Sequence, residues 1–110
     1  MGAEKKIVRK NFRDACYKRD GFRCAVCGMK SSMEKAEQEL DAHHITSRDV
    51  MPNGGYVSQN GISLCSECHI KAEVFHSTGT PVEGYSIEDL YKKINSNYEK
   101  AVEASNKLSA

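Results

Sequence analysis

Leu40-Asp41-Ala42-His43-His44-Ile45, followed after a loop by Asn60-Gly61-Ile62-Ser63-Leu64-Cys65-Ser66-Glu67-Cys68-His69, is the stretch on which the reading of this chain turns. Two adjacent histidines close one apolar run, Asn-Gly opens a second, and a third histidine follows directly on a Cys-x-x-Cys pair. Imidazole and thiolate bind borderline-soft ions without a full charge penalty, so so many of them in so short a span point to metal. Residues 39–45 are expected to form a strand with Leu40, Ala42 and His44 on one face and Asp41 and His43 on the other. Neighbours on an extended segment point to opposite sides, so His43 and His44 cannot easily share one ion. One is expected to bind metal together with His69 while the other stays free as a base beside the same space. Residues 62–64 read as a second strand. Residues 66–76 read as a helix, with Cys65 or Ser66 at its N-cap and Glu67 near the positive end of its dipole.

Outward from this stretch, residues 46–59 contain Pro52-Asn53-Gly54-Gly55, which breaks any regular element. A loop of that length in a small domain favours a ligand-shaping role. Upstream, Cys24-Ala25-Val26-Cys27-Gly28 reads as a knuckle entered by a short strand over residues 22–26, the glycine permitting the tight turn that lets two thiolates face one ion. Cys24 and Cys27 with Cys65 and Cys68 complete the closed four-thiolate shell of structural zinc, with a 37-residue insert between the pairs. Two other readings of these cysteines are a redox pair at one Cys-x-x-Cys and His69 replacing Cys68 as the fourth zinc ligand. Cys16 is left over as a buried or free thiol. Residues 30–39 are polar and fit either a loop or a turn or two of helix.

The chain has 110 residues, five cysteines, no tryptophan and 39% hydrophobic residues. A domain of that size buries only about 65% of its unfolded surface, so a metal staple is expected. The first ten residues carry no apolar core of a secretory signal, which with the odd cysteine count favours metal thiolates in a reducing cytoplasm over a disulfide framework. No apolar run approaches the roughly 18 residues of a membrane span. The formal net charge is +1, yet residues 1–23 hold eight basic against three acidic side chains, a local +5 suited to phosphate or simply to a solvated helix face. Residues 4–19 read as a helix from Val8, Phe12 and Ala15 at i, i+4 and i+7. Residues 79–84 form a Pro and Gly linker. Ile87, Tyr91, Ile94, Tyr98 and Ala101 form one stripe of a C-terminal helix over residues 85–104, which Ser86 opens.

The ordered set of C-A-V-C-G, A-H-H-I and N-G-I-S-L-C-S-E-C-H, with the helix continuing through Glu73 and His76, resembles the HNH nucleases and their ββα-metal fold. The resemblance covers residues 17–76. It implies an α+β fold in which a zinc-braced ββα-metal nuclease core at residues 21–78 is flanked by a basic N-terminal helix at residues 1–20 and the C-terminal helix, all one domain over residues 1–110. Carried over by position, His43 and His69 become ligands of a catalytic divalent metal, Mg2+, Mn2+ or Ni2+, and His44 the general base. Asn60 becomes the residue that orients the base or the loop, or a metal ligand as in some members. Glu73, one helical turn past His69, is a candidate third ligand, and His76 a further one.

The implied activity is metal-dependent endonucleolytic hydrolysis of phosphodiester bonds in double-stranded DNA, contacted by Lys18, Arg19, Arg23, Arg48 and Lys71, which flank the site in sequence. The resemblance further implies a chain of bacteria or their phages, and the sequence leaves monomer and homodimer both open. The competing reading is a non-catalytic zinc module that binds nucleic acid, which would keep both Cys-x-x-Cys pairs but has no need of His43, His44, Asn60 and His69 together.

Overall fold

The computed structural model describes residues 2–108, and side chains from residue 7 onward. Helix α1 spans Gly2–Arg19, α2 Ala36–Glu39, strand β1 Leu40–His44 and β2 Gly61–Cys65; helix α3 spans Ser66–Thr78, α4 Ile87–Lys93 and α5 Tyr98–Asn106. The strands form one antiparallel pair, with Leu40 opposite Cys65 and His44 opposite Gly61. The fold is therefore α+β, a β1–β2–α3 unit with helices around it. No helix among the described residues is long and apolar enough to cross a membrane.

Every residue of β2 is buried because α1, α3 and β1 enclose it, and Ile62 and Leu64 form the centre of the core with Leu40, Ile45, Leu90 and Ala101. Gly61 is required by the approach of α1: a Cβ there would lie 2.5 Å from both Cys16 Sγ and Phe12 Cε1. The buried face of α1 is Phe12, Cys16 and Tyr17, whereas Ala15 of the expected stripe is exposed. The larger ring of Tyr17 buries more apolar area than the Ala15 methyl could, and its hydroxyl donates to Leu40 O at 3.0 Å. Cys16 is fully buried, and burial pushes its thiol up to about 12, so it stays protonated.

Two expectations are corrected. Residues 22–26 are not a strand: Gly21 and Phe22 both take positive φ, and the chain reverses so soon that only Arg23 and Lys30 bridge. The C-terminal stripe is not one helix but two. Asn95 adopts a left-handed φ of 54°, Ser96 Oγ donates to Gln59 O at 2.8 Å, and Asn97 caps α5 by accepting from Lys100 N at 2.8 Å. A capping side chain that satisfies the first amides of a new helix competes with continuation of the old one. Tyr98 is consequently exposed, while Tyr91, Ile94 and Ala101 remain buried. Residues 30–39, open in the sequence, contain the single turn of α2.

Candidate active site and metal centres

The knuckle is closed by Cys24 N donating to Met29 O at 2.9 Å and Gly28 N to Cys24 O at 3.0 Å, with Gly28 at a φ of 81°. Cys65 ends β2 and Cys68 lies in the first turn of α3, which brings the second pair against the first. The four sulfurs lie within 4.8 Å of one another, and Cys27 Sγ is 3.6 Å from Cys65 Sγ. Tetrahedral zinc with Zn–S of about 2.3 Å needs sulfurs about 3.8 Å apart, so the donors present fit zinc. Cys24, Cys65 and Cys68 are buried and Cys27 faces solvent. Burial opposes ionisation of Cys24, but backbone N–H donors of Cys27, Cys65 and Val26 outweigh it and lower the thiol to about 7. Tyr85 Oη donates to Cys68 Sγ at 3.2 Å, an outer partner of the kind that stabilises thiolate ligands.

A second group forms where the other face of β1 meets α3. His43, His69 and Glu73 each bring a ligand atom within 4.8 Å of the others. His43 Nδ1 is 3.2 Å, and His69 Nε2 3.1 Å, from Glu73 Oε1. Donors 2.1 Å from an ion stand about 3.0 Å apart at an octahedral edge and about 3.4 Å at a tetrahedral one, which brackets these spacings. His43 is 2% exposed, and neither ring nitrogen has a hydrogen-bond partner among the described residues, because its Nδ1 is near Glu73 but out of hydrogen-bond geometry. A buried imidazole with both nitrogens unpaired costs free energy that an ion would repay, so the residues fit a divalent metal. Burial holds His43 down at about 4 against the pull of Glu73, so it is neutral and able to ligate.

Asp41, on the same strand face as His43, places Oδ2 3.2 Å from His69 Nδ1. An acceptor there keeps the proton on Nδ1 and frees Nε2 for an ion. The signal for Asp41 in the sequence is its i, i+2 spacing from His43, which places both on one strand face.

His44 points the other way, toward α1. Its ring stacks on Phe12 at 4.5 Å between centroids and meets the Tyr56 ring edge-on at 4.7 Å. Burial, then the charge of Arg48, lowers it to about 4, and its Nε2 is buried without a partner among the described residues. His43 and His44 nevertheless line one cavity of about 550 Å³ with Phe12, His69, Glu73 and His76. His76 Nε2 donates to His44 O at 3.3 Å, which spends that nitrogen on the strand backbone.

Asn60 does not line this cavity. It is fully buried, its Oδ1 accepting from Thr46 N at 3.0 Å and Tyr91 Oη at 2.8 Å and its Nδ2 donating to Thr46 O at 3.0 Å and Gly55 O at 3.3 Å. Both ends of the amide are consumed in closing the loop between the strands.

The basic residues divide. Arg48 lines the cavity. Arg19 is a tether, since its guanidinium pairs with Asp20 at 2.8 Å and donates to Ser58 O and to Gly61 O at 2.7 Å, and Asp20 Oδ2 accepts from Ser63 N. Those bonds dock α1 on β2 and leave little of the group for a ligand. Lys18, Arg23 and Lys71 are exposed away from the cavity lining, with Lys71 Nζ 5.8 Å above the Tyr85 ring beside the thiolates. Arg9, Arg13 and Tyr56 line the cavity instead. Arg9 and Arg13 follow from the i, i+3, i+4 spacing with Phe12, once Phe12 is known to face the histidines.

No curated protein and no solved structure matches the chain. Residues 24–74 match the HNH endonuclease family, a span that contains the knuckle, both strands, His43, His44 and the α3 residues His69 and Glu73. Together with the four clustered thiolates and the β1–β2–α3 unit, this match makes residues 24–74 similar to the HNH endonucleases, a family of nucleases.

Proposed function

We propose that the chain is a metal-dependent endonuclease that hydrolyses phosphodiester bonds in double-stranded DNA, with His44 as general base and His43, His69 and Glu73 as ligands of the catalytic metal. The observation that carries this reading is the cavity wall shared by His43, whose buried nitrogens are unpaired, and by neutral His44. A zinc module that only bound nucleic acid would have no use for either.

A divalent ion held by His43, His69 and Glu73 would neutralise the scissile phosphate and stabilise the departing oxygen. The chain's own residues do the rest. Phe12 and Tyr56 hold the His44 ring from two sides, so its orientation is set before substrate arrives. Neutral His44 takes the proton from the attacking water. At about 4 it is a weak base in the free protein, lowered by burial and then by Arg48, and an entering phosphate offsets the charge of Arg48. Asp41 fixes the His69 tautomer, and Asn60 holds the loop that carries Arg48 and Tyr56.

The test is plasmid nicking with Mg2+, Mn2+ or Ni2+ added, by wild type and His44→Ala with matched zinc content. Wild type is expected to nick and to stop on chelation of the added ion. The variant is expected to bind the plasmid and lose about 100- to 10,000-fold in rate. Equal rates for the two proteins would remove His44 as the base, and a wild type inert with every ion would remove the enzyme.

A further inference from the structure

Part of the cavity wall has no task in this reaction. Arg9 and Arg13 enter it from α1, which lies outside the span matched by the family, and Arg48 enters it from the loop between the strands. Arg48 Nη1 donates to Tyr56 Oη at 3.0 Å. Burial pushes the Tyr56 phenol up, but Arg48 and then Arg9 outweigh it and hold the group below its ordinary value. Arg48 thus spends its guanidinium on a neutral oxygen, and Arg9 lines the same cavity. The carboxylates nearby are Asp49 beside Arg48 and, at 3.4 Å from Arg13, Glu37.

A guanidinium pairs better with an anionic oxygen than with a phenol, and its planar fork suits phosphate. The position is fixed as well as charged. Phe12 is stacked on His44, and Arg9 is three residues before it on the same helix, so α1 cannot shift without moving the ring that holds the base. The same cavity is lined by the β1 and α3 residues His43, His69 and Glu73, by Arg9 and Arg13 of α1, by Arg48 of the loop, and by His44.

We infer that Arg9 and Arg48, with the Tyr56 hydroxyl, form a second phosphate subsite for the backbone phosphate next to the one that is cut, so that α1 is part of the substrate surface. Which phosphate is meant rests on the nuclease reading; the anion site itself does not. The subsite grips backbone and not bases, so it strengthens binding uniformly across sequences.

The experiment is binding of a fluorescein-labelled DNA duplex by anisotropy at several salt concentrations, in a His44→Gln background that leaves the duplex intact. Each neutralised phosphate contributes about 0.9 to the slope of log K against log salt. Arg9→Ala/Arg48→Ala is expected to lower that slope by about 0.9, and Arg9→Lys/Arg48→Lys to keep it. Both side chains are exposed, and circular dichroism with zinc content checks the fold; Arg9→Gln/Arg48→Gln repeats the measurement without the helix preference of alanine. An unchanged slope and affinity in the Ala and Gln variants overturns the subsite, and if the same substitutions in an intact His44 protein still nick DNA, the nuclease reading survives that failure. A lowered slope in a protein that never nicks DNA keeps the anion site and removes the enzyme.

Discussion

Asp41→Asn tests whether a strand carboxylate sets the metal site through His69. Asp41 Oδ2 lies 3.2 Å from His69 Nδ1, while His69 Nε2 faces Glu73 at 3.1 Å. The substitution keeps the shape and removes the charge. An amide that presents its oxygen still accepts the Nδ1 proton, more weakly; one that presents its nitrogen donates and forces the proton onto Nε2, where it blocks the ion. Loss of such an outer partner costs about 10- to 100-fold in metal affinity, or about 1.4–2.7 kcal/mol. Asp41 is 50% exposed and His69 31%, so solvent screens the interaction and the lower end, about 10-fold, is expected. The assay is cleavage against Mn2+ concentration, paired with calorimetric titration of Mn2+ into the zinc-loaded chain. The midpoint should move up about 10-fold in both, with the rate at saturating Mn2+ near wild type and zinc content unchanged. An unmoved midpoint refutes the positioning role, and a lost rate with an unmoved midpoint assigns Asp41 to the chemistry instead.

Other outcomes follow from the same geometry. Stripping zinc, or Cys65→Ser, should unfold the chain, because structural zinc contributes about 10–16 kcal/mol against a total stability of about 5–15 kcal/mol; circular dichroism of the chelated protein checks it, and a retained cooperative melt would contradict it. Asn60→Ala leaves Thr46 N, Thr46 O, Gly55 O and Tyr91 Oη without their buried partner. At about 1–3 kcal/mol for a buried group left unsatisfied, thermal denaturation should show a fall of 10 °C or more, roughly, while metal affinity of the folded fraction at low temperature stays near wild type. A large loss of metal affinity at unchanged stability would make Asn60 a ligand after all. Gly61→Ala drives a methyl into Cys16 and Phe12 and should cost about 1–3 kcal/mol in a denaturant melt, with cleavage falling further than stability because Phe12 carries the His44 ring.

What was legible in the sequence was whatever depends on chemistry that few residue types perform. The four cysteines and His43, His44 and His69 announced themselves because thiolates and imidazoles in that order have few other uses, and the strand alternation alone sent His43 and His44 in different directions. What the sequence did not disclose depends on distance between segments. Asn60 and Arg19 are of types that serve function as readily as structure. Only the bonds each makes decide between the two, and those bonds reach 14 residues back to Thr46 for one and 42 on to Gly61 for the other. Arg9 is hidden for the converse reason, since it is far from the histidines in sequence and becomes their neighbour only when Phe12 packs on His44, while Tyr56 is brought to His44 by the path of the loop. The break after Ile94 was hidden because apolar spacing registers burial and not continuity: Tyr91, Ile94 and Ala101 are all buried as the stripe requires, yet they sit on two helices that Asn95 and Asn97 separate. The same distinction separates the two halves of the site. The metal-binding half lies within a strand, its partner and the next helix, where local sequence dictates placement. The half around His44 is completed by α1 from outside that unit, through the stacking of Phe12 on His44 and the glycine at 61 that lets the helix come so near.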